Sequence, residues 1–490
     1  MRFQMLWAAS AVITGLAACG GATPAKDASA AAAAPAASTP AVVTAAANDC
    51  AALPPLPAVP ADAKRVTDYG AVPDDHLPDD AAIGRGLADL APGQWLVFPP
   101  GRYIQARSIY VRTRDLTLWG AGAVLHASNP ADHTLGLRAP GVKVYGFELT
   151  AVTDMRRSAA AQSRVSIVRE ASLGEPLTGN VVRGLHITQG TTVSSAHSAG
   201  SAGILVVGAS HFTIADNAVR RSRADGIHIT GGSSHGRVVG NTVRETGDDM
   251  IAMVTYLGSH WQDRLQNDSA WRNSLDQPGF FVSDIAVVGN DVADNYWGRG
   301  IAVVGSRNIT IADNRVRGTS YAAAVLVAQE GGYGTPGPRN VLVSGNNIAR
   351  VQNTTPPFVP AGWKLPPPTG HGAVEIHAIQ NAAGDLAKPL VFDLLSLRGV
   401  AVQGNLMEQV ASDGVRMGAD TAPNLINEVL WADNRFAQVG GLALRNLLPG
   451  TGSARCRGNL LNGQPVSGAC TLSADPVVTG ARLSCAALPS

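Results

Sequence analysis

Between residues 200 and 460 the chain alternates short apolar runs with Gly, Asn and Asp, and one phrase recurs. It is an apolar pair, then Gly or Asp, then Asn, then an apolar residue one or two positions later. The phrase stands as TIADNAV, RVVGNTV, AVVGNDV, TIADNRV, LVSGNNI, AVQGNLM, LWADNRF and RCRGNLL, with Asn217, Asn241, Asn290, Asn314, Asn346, Asn405, Asn434 and Asn459. Successive gaps of 24, 49, 24, 32, 59, 29 and 25 residues give a unit of about 24 with insertions. A second apolar run accompanies each phrase: AGILVV, DGIHIT, DMIAMV, GIAVVG, AAVLVA, AVEIHA, DGVRMG and GLALRN. Runs this short, rich in Val and Ile and bounded by turn formers, exclude helical repeats. The pattern predicts an all-β fold, a right-handed single-stranded parallel β-helix. In such a solenoid, coils stack at about 4.8 Å and equivalent residues form columns, with the asparagines as a structural amide ladder.

Length changes meaning under this repeat. A chain of 490 residues suggests roughly three domains, whereas the repeat predicts one elongated domain over 61–450. With 38 basic and 37 acidic residues, gross positive charge is not available to hold nucleic acid. The opening MRFQMLWAASAVITGLAAC reads as an export signal over 1–18. Leu16-Ala17-Ala18-Cys19 resembles the bacterial lipoprotein box, which implies that Cys19 carries lipid and, with Gly20 following, that the protein is an outer-membrane lipoprotein of the cell envelope. Residues 19–60, dominated by Ala and Pro, read as a tether. Residues 451–490 read as a C-terminal cap. Cys50, Cys456, Cys470 and Cys485 allow two disulfides in three pairings, and none has metal-ligand spacing with His. We expect a monomer.

Upstream, RVTDYGAVPDDHLPDDAAIGRGLADL followed by WLVFPPGRYIQ resembles the N-terminal part of the pectin-lyase-like superfamily, which implies a short capping helix. Asp79 is placed to cap it, with Ile83, Leu87 and Leu90 on one face closing the end of the solenoid core.

Aligning coils on their second apolar run yields two columns that turn polar. Two residues before the run, the column reads Ala202, Asp225, Asp249, Arg299, Ala323, Gly372, Asp413, Gly440. One residue into it, the column reads Leu205, His228, Ala252, Ala302, Leu326, Glu375, Arg416, Ala443. Asp225 and Asp249 are one 24-residue coil apart, so they should stack with Cβ atoms roughly 5 Å apart. Like charges that close raise one carboxyl's pKa or hold a cation or a water.

RADGIHI at 223–229, GDDMIAM at 247–253 and GRGIAVVG at 298–305 resemble the polygalacturonase family of glycoside hydrolases. The resemblance implies Asp248 as the acid that protonates the glycosidic oxygen, and Asp225 with Asp249 as the pair that holds and deprotonates water. It also implies inversion without a cofactor, with acid and base roughly 6.5–9.5 Å apart. Arg299 stands where that family has His, and Val325-Leu326-Val327 where it has a basic pair for a uronate; both departures argue against galacturonan. Arg299 also suits a rival, the β-helix lyases and uronate epimerases. There Asp225, Asp248 and Asp249 would hold calcium and Arg299 would serve as base or carboxylate partner. A non-catalytic glycan-binding surface protein is the third reading.

Two insertions carry aromatics in a chain only 5% aromatic. Residues 256–281 bring Tyr256, Trp261 and Trp271; residues 354–371 bring Phe358 and Trp363. With Trp297, these are candidates for walling a groove and stacking on sugar rings. His228, His371, Glu375, His377 and Arg416 are candidate polysaccharide contacts on neighbouring coils.

Overall fold

A computed structural model describes residues 53–187, 199–381, 383–448, 454–466 and 470–472. The expected signal segment, Cys19, Cys50 and Cys485 lie outside the described residues. Three sheets of 16, 11 and 13 strands run along the domain, and a complete coil adds one strand to each. The coil with Ile227–Thr230 in the 11-stranded sheet continues through Ser234–Val239 in the 16-stranded sheet to Thr242–Arg244 in the 13-stranded sheet. Pairing is parallel throughout the described coils, apart from Leu460–Leu461 with Gln464–Pro465. Alternate strand residues point inward: Ile227, Ile229, Ile251, Met253, Ile301 and Val303 are all 0% exposed. Each such burial contributes on the order of 1.5–3 kcal/mol, so the core is a stack of aliphatic layers along the axis.

The recurrent phrase marks one corner. Between Thr213–Ala215 and Ala218–Arg220 lie only Asp216 and Asn217, and the same two-residue turn joins the 16- to the 13-stranded sheet up to Arg457 and Leu460. The residue before each Asn is left-handed: Asp216, Gly240, Gly289, Asp313, Gly345, Gly404, Asp433 and Gly458 have φ between 53° and 65°. That backbone selects Gly, or an Asp that tolerates it. The asparagines form the expected ladder. Each side-chain amide donates to the next Asn Oδ1 at 2.9 Å, from Asn217 through to Asn459. The second amide hydrogen reaches a main-chain carbonyl, as from Asn290 to Val238 at 2.9 Å. Buried polar groups at 0–2% exposure are thereby satisfied. The other two corners vary in length and carry the insertions.

Helix Asp80–Asp89 closes the N-terminal end, with Ile83 and Leu90 buried and Leu87 packed against the core. Asp79 does not cap it by its side chain. Its Oδ1 accepts from Val72 N–H at 3.1 Å and its Oδ2 from Ile104 N–H at 2.8 Å, tying the helix start to the strand Gly101–Gln105.

The expected tether ends sooner than residue 60. Leu53 packs on outward-facing Val239, Ala286, Val288 and Ala312 of the 16-stranded sheet, and Arg183 donates to the Pro54 carbonyl at 2.6 Å. At the other end the solenoid runs past residue 450: Ala454–Arg457 extends the 16-stranded sheet, Asn459 completes the ladder, and Cys456 is bonded to Cys470. The last coil also corrects the column alignment. Val415 pairs with Leu444, so Arg416 faces Arg445 rather than Ala443, and Leu442, not Gly440, follows Asp413. Leu442 and Leu444 offer the same alternation two residues apart; the fold buries Leu444 and leaves Leu442 53% exposed.

Candidate active site

The polar column forms where the 13-stranded sheet hands the chain to the 11-stranded sheet. Gly203 and Gly226 N–H donate to the Asp225 and Asp249 carbonyls at 3.0 Å, and Met250 N–H to the Arg299 carbonyl at 3.0 Å. Backbone pairing therefore continues through this corner, and Asp225, Asp249 and Arg299 leave it as stacked side chains. Asp248 leaves in another direction yet returns to the same place: one oxygen from each of Asp225, Asp248 and Asp249 lies within 4.8 Å of the others. This is tighter than the roughly 6.5–9.5 Å expected of an acid and base separated by a water. Gly298 makes the crowding possible. At φ 74°, a Cβ there would sit 2.5 Å from the Asp248 carbonyl carbon.

Cations pair with this cluster one by one. His228 Nδ1 donates to Asp225 Oδ2 at 2.7 Å, and both residues are 5% exposed. Arg156 bonds the Asp248 carboxylate and the Gly247 carbonyl, the latter at 2.8 Å. Arg299 bonds the Glu330 carboxylate; its main-chain N–H donates to Asp249 Oδ1 at 2.7 Å, while its Nη1 stays 3.5 Å from Asp249 Oδ2. Three cations thus serve four carboxyls, and Asp249 must share. Burial, with Asp248 and Asp225 adding to it against the pull of Arg299, pushes the Asp249 carboxyl up to about 8. Burial disfavours charge on His228, but Asp225 outweighs it and holds the imidazole pKa above its usual value. Arg299 is likewise held charged by Asp249 and Glu330 despite its burial.

The three carboxylates could hold a cation by number and spacing. Arg156 and Arg299 stand against them, however, so the charge a calcium ion would neutralise is already met, and the set does not fit a resident calcium.

The structure divides the other candidates. Trp297 stacks on Tyr321 at 4.7 Å and meets Trp363 edge-on at 5.4 Å, so the 354–371 insertion does stand beside the cluster. Tyr256, half-buried, covers outward-facing Ala252, Val254, Ala302, Val304, Leu326 and Ala328, an apolar floor. Its phenol is raised well above its usual pKa by burial and then by Asp225. Trp261 and Trp271 are corrections: each is 6% exposed, in helices Trp261–Asn267 and Ser269–Ser274, and packs into the core where no sugar reaches. Glu375, His377 and Arg416 form a second knot. His377 Nδ1 lies 2.8 Å from Glu375 Oε1 and its Nε2 2.9 Å from Asp420 Oδ1; Arg416 Nε is 3.8 Å from Glu375 Oε1. Their strands lie beyond the coil of Val325–Glu330 and do not join the three aspartates directly. Arg156 and Glu330 escaped the sequence reading. Arg156 arrives from a loop with no repeat phrase, and Glu330 ends a strand whose apolar start drew the comparison.

The family model described as "Right handed beta helix region" matches residues 179–348. This chain is a right-handed parallel β-helix. No curated protein matches its sequence. Among solved structures the β-helix resembles the catalytic unit of a thermostable GH87 α-1,3-glucanase from Streptomyces thermodiastaticus, at 17% identity and TM-score 0.53, covering 85% of this chain and 71% of that one. It resembles a family 28 exopolygalacturonase of Yersinia enterocolitica at 12% identity and TM-score 0.55, covering 84% and 77%. It also resembles the A-module of the mannuronan C-5 epimerase AlgE6 of Azotobacter vinelandii at 15% identity and TM-score 0.52, covering 82% and 100%. At these identities the likeness is one of fold.

Proposed function

We propose that this protein is a glycoside hydrolase acting on a neutral polysaccharide, with Asp225, Asp248 and Asp249 as its reacting groups. One observation carries the reading: three carboxyls share one small space, and burial leaves a proton on Asp249 at neutral pH. Asp248, the most exposed of the three, meets the glycosidic oxygen and delivers that proton. A gap of 4.8 Å or less is one that a side-chain rotation or a single water closes. Asp225, held by His228, orients the attacking water, whose proton returns to the cluster as its oxygen bonds the anomeric carbon. The leaving sugar takes the first proton, so the sum is addition of one water across one bond. Arg299 keeps its charge beside Asp249 and positions it. A neutral substrate is supported by the apolar floor under Tyr256, where outward-facing Leu326 and Ala328 stand and a uronate would need cations. Trp297 and Trp363 would stack on the sugars. Lipid attachment at Cys19 and residence at the outer membrane belong to the same proposal; a Cys19→Ala chain should then move to the soluble fraction.

The test is incubation of the protein with insoluble α-1,3-glucan, cellulose and polygalacturonate, following reducing ends and ultraviolet absorbance, beside Asp248→Asn and Asp249→Asn. Reducing ends from a neutral glycan without absorbance, lost in both variants, is the expected result. Absorbance lost on chelation would instead establish the lyase reading. Full activity in either variant would refute the assignment.

A further inference from the structure

The 16-stranded sheet carries an aromatic strip on its outer face, far from the aspartates. Trp119 and Tyr145 occupy equivalent positions on successive coils, and Trp95 lies on the coil before them, opposite Thr117. The Trp95 and Trp119 rings are 6.0 Å apart at 34°, and the Trp119 and Tyr145 rings 5.8 Å apart at 50°. Both tryptophans are half-buried, so each presents a face. Beside them is a cavity of about 550 Å³, bordered by Trp95, Tyr145, Arg114, Asp115, Lys143 and Pro57. The core does not require this arrangement: the same outward column carries Arg183, Ala215 and Val239 on later coils.

We infer that this strip is a second glycan-binding surface, for a neutral polysaccharide chain, separate from the catalytic groove. Three features select that ligand. The Trp95 and Trp119 rings, 6.0 Å apart and tilted by 34°, match consecutive sugars of a twisting chain, whose C–H faces pack on aromatic planes, while Tyr145, 4% exposed, backs Trp119 from beneath. Among the described residues, neither indole N–H nor the Lys143 ammonium has a protein partner, so donors for hydroxyl groups line the aromatic floor. Charge at the rim cancels, since Arg114 pairs with Asp115 at 3.0 Å and lies 3.9 Å from Glu175, which offers nothing to a polyanion.

The two surfaces cannot be one groove. From Tyr145 the register passes through Arg183 and Ala215 before it reaches Val239 on the coil of Asp225. That is three coils, about 14 Å along the axis at about 4.8 Å each, and the strip also lies on a different sheet. Its task would be to hold the protein on an insoluble glycan while the groove works on another segment, raising effective concentration without new catalytic contacts.

The experiment uses the full chain with Asp249→Asn, so that nothing is consumed, and measures its retention on insoluble α-1,3-glucan and on cellulose. We expect retention on at least one of them and a loss of tenfold or more in the partition constant when Trp95→Ala and Trp119→Ala are added. Lys143→Ala, a milder change, should give a smaller loss in the same direction. The two tryptophan changes in the active protein should leave kcat on soluble oligosaccharides and the Tm unchanged. Retention on neither glycan, or equal retention with and without the tryptophans, overturns the inference; so does a change in oligomeric state in place of a change in retention. The hydrolase reading fails separately: tryptophan-dependent retention by a protein that never releases reducing ends would leave this surface standing and that reading refuted.

Discussion

Asp249→Asn should make the protein more stable at high pH while abolishing its activity. Burial and two neighbouring carboxylates put the Asp249 carboxyl at about 8 against an ordinary 3.8. Below about pH 4 the group is protonated in folded and unfolded chains alike, and it costs nothing. Between about 4 and 8 the unfolded chain releases the proton while the folded one keeps it, so the penalty on folding grows with pH; above about 8 it is constant. At ~1.4 kcal/mol per unit the interval is worth on the order of 5–6 kcal/mol. Side-chain relaxation and the loss of Arg299's second partner bring the expected gain to about 2–4 kcal/mol at pH 9, shrinking towards zero near pH 4. Asn keeps an acceptor for the Arg299 N–H now bonded at 2.7 Å, so the local fold has no reason to change. The assay is urea unfolding of parent and variant from pH 4 to 9, with reducing-end release measured alongside; activity should fall by about 10²–10⁴. A variant less stable than the parent at pH 9, or a difference that does not vary with pH, would refute the placement of the proton.

Further outcomes follow from the same geometry. In the parent, kcat/KM should decline above about pH 8 as the cluster loses its proton, a profile that steady-state kinetics reads directly. Gly298→Ala should cost about 100-fold in kcat with little change in secondary structure by circular dichroism, because its Cβ would displace the Asp248 backbone. Asn290→Ala should cost about 3–5 kcal/mol in urea unfolding, since it strands two Asn241 donors at once. Asn217→Ala strands one donor, the Leu185 N–H, in place of two and should cost about half as much. Trp261→Ala should lower stability by about 3–5 kcal/mol, whereas Trp297→Ala should raise KM and leave the Tm near that of the parent.

What could be read from the chain was what repeats. The left-handed corner demands Gly or Asp and the ladder demands Asn, so the phrase is visible wherever a coil closes. Asp225 and Asp249 were legible for the same reason, as charged interruptions, with Arg299 and Asp413, of a column otherwise made of Ala and Gly. Arg156 was not, because it approaches the cluster through space from another coil, and sequence distance carries no trace of that. Trp261 and Trp271 misled because aromatic content in a loop does not say which way the rings turn; two short helices folded them inward. The last coil slipped because Leu442 and Leu444 satisfy one alternation equally well, and only pairing with Val415 chooses between them.

The fixed two-residue corner has a consequence for how this molecule can be altered. Each coil from Asn217 to Asn459 passes the Asn turn with the same two-residue step, so there length changes only at the other two corners, and both adjoin the 11-stranded sheet. The 256–281 and 354–371 insertions come from opposite ends of its strands, and the aspartates lie at the end that 354–371 enters. The 354–371 insertion can therefore be shortened, exchanged or grafted without breaking an amide of the ladder, whereas 256–281 is anchored in the core through Trp261 and Trp271. The frame that aligns Asp225 with Asp249 stays fixed while that insertion varies, so on the proposed function a different polysaccharide would be accommodated by replacing the 354–371 loop.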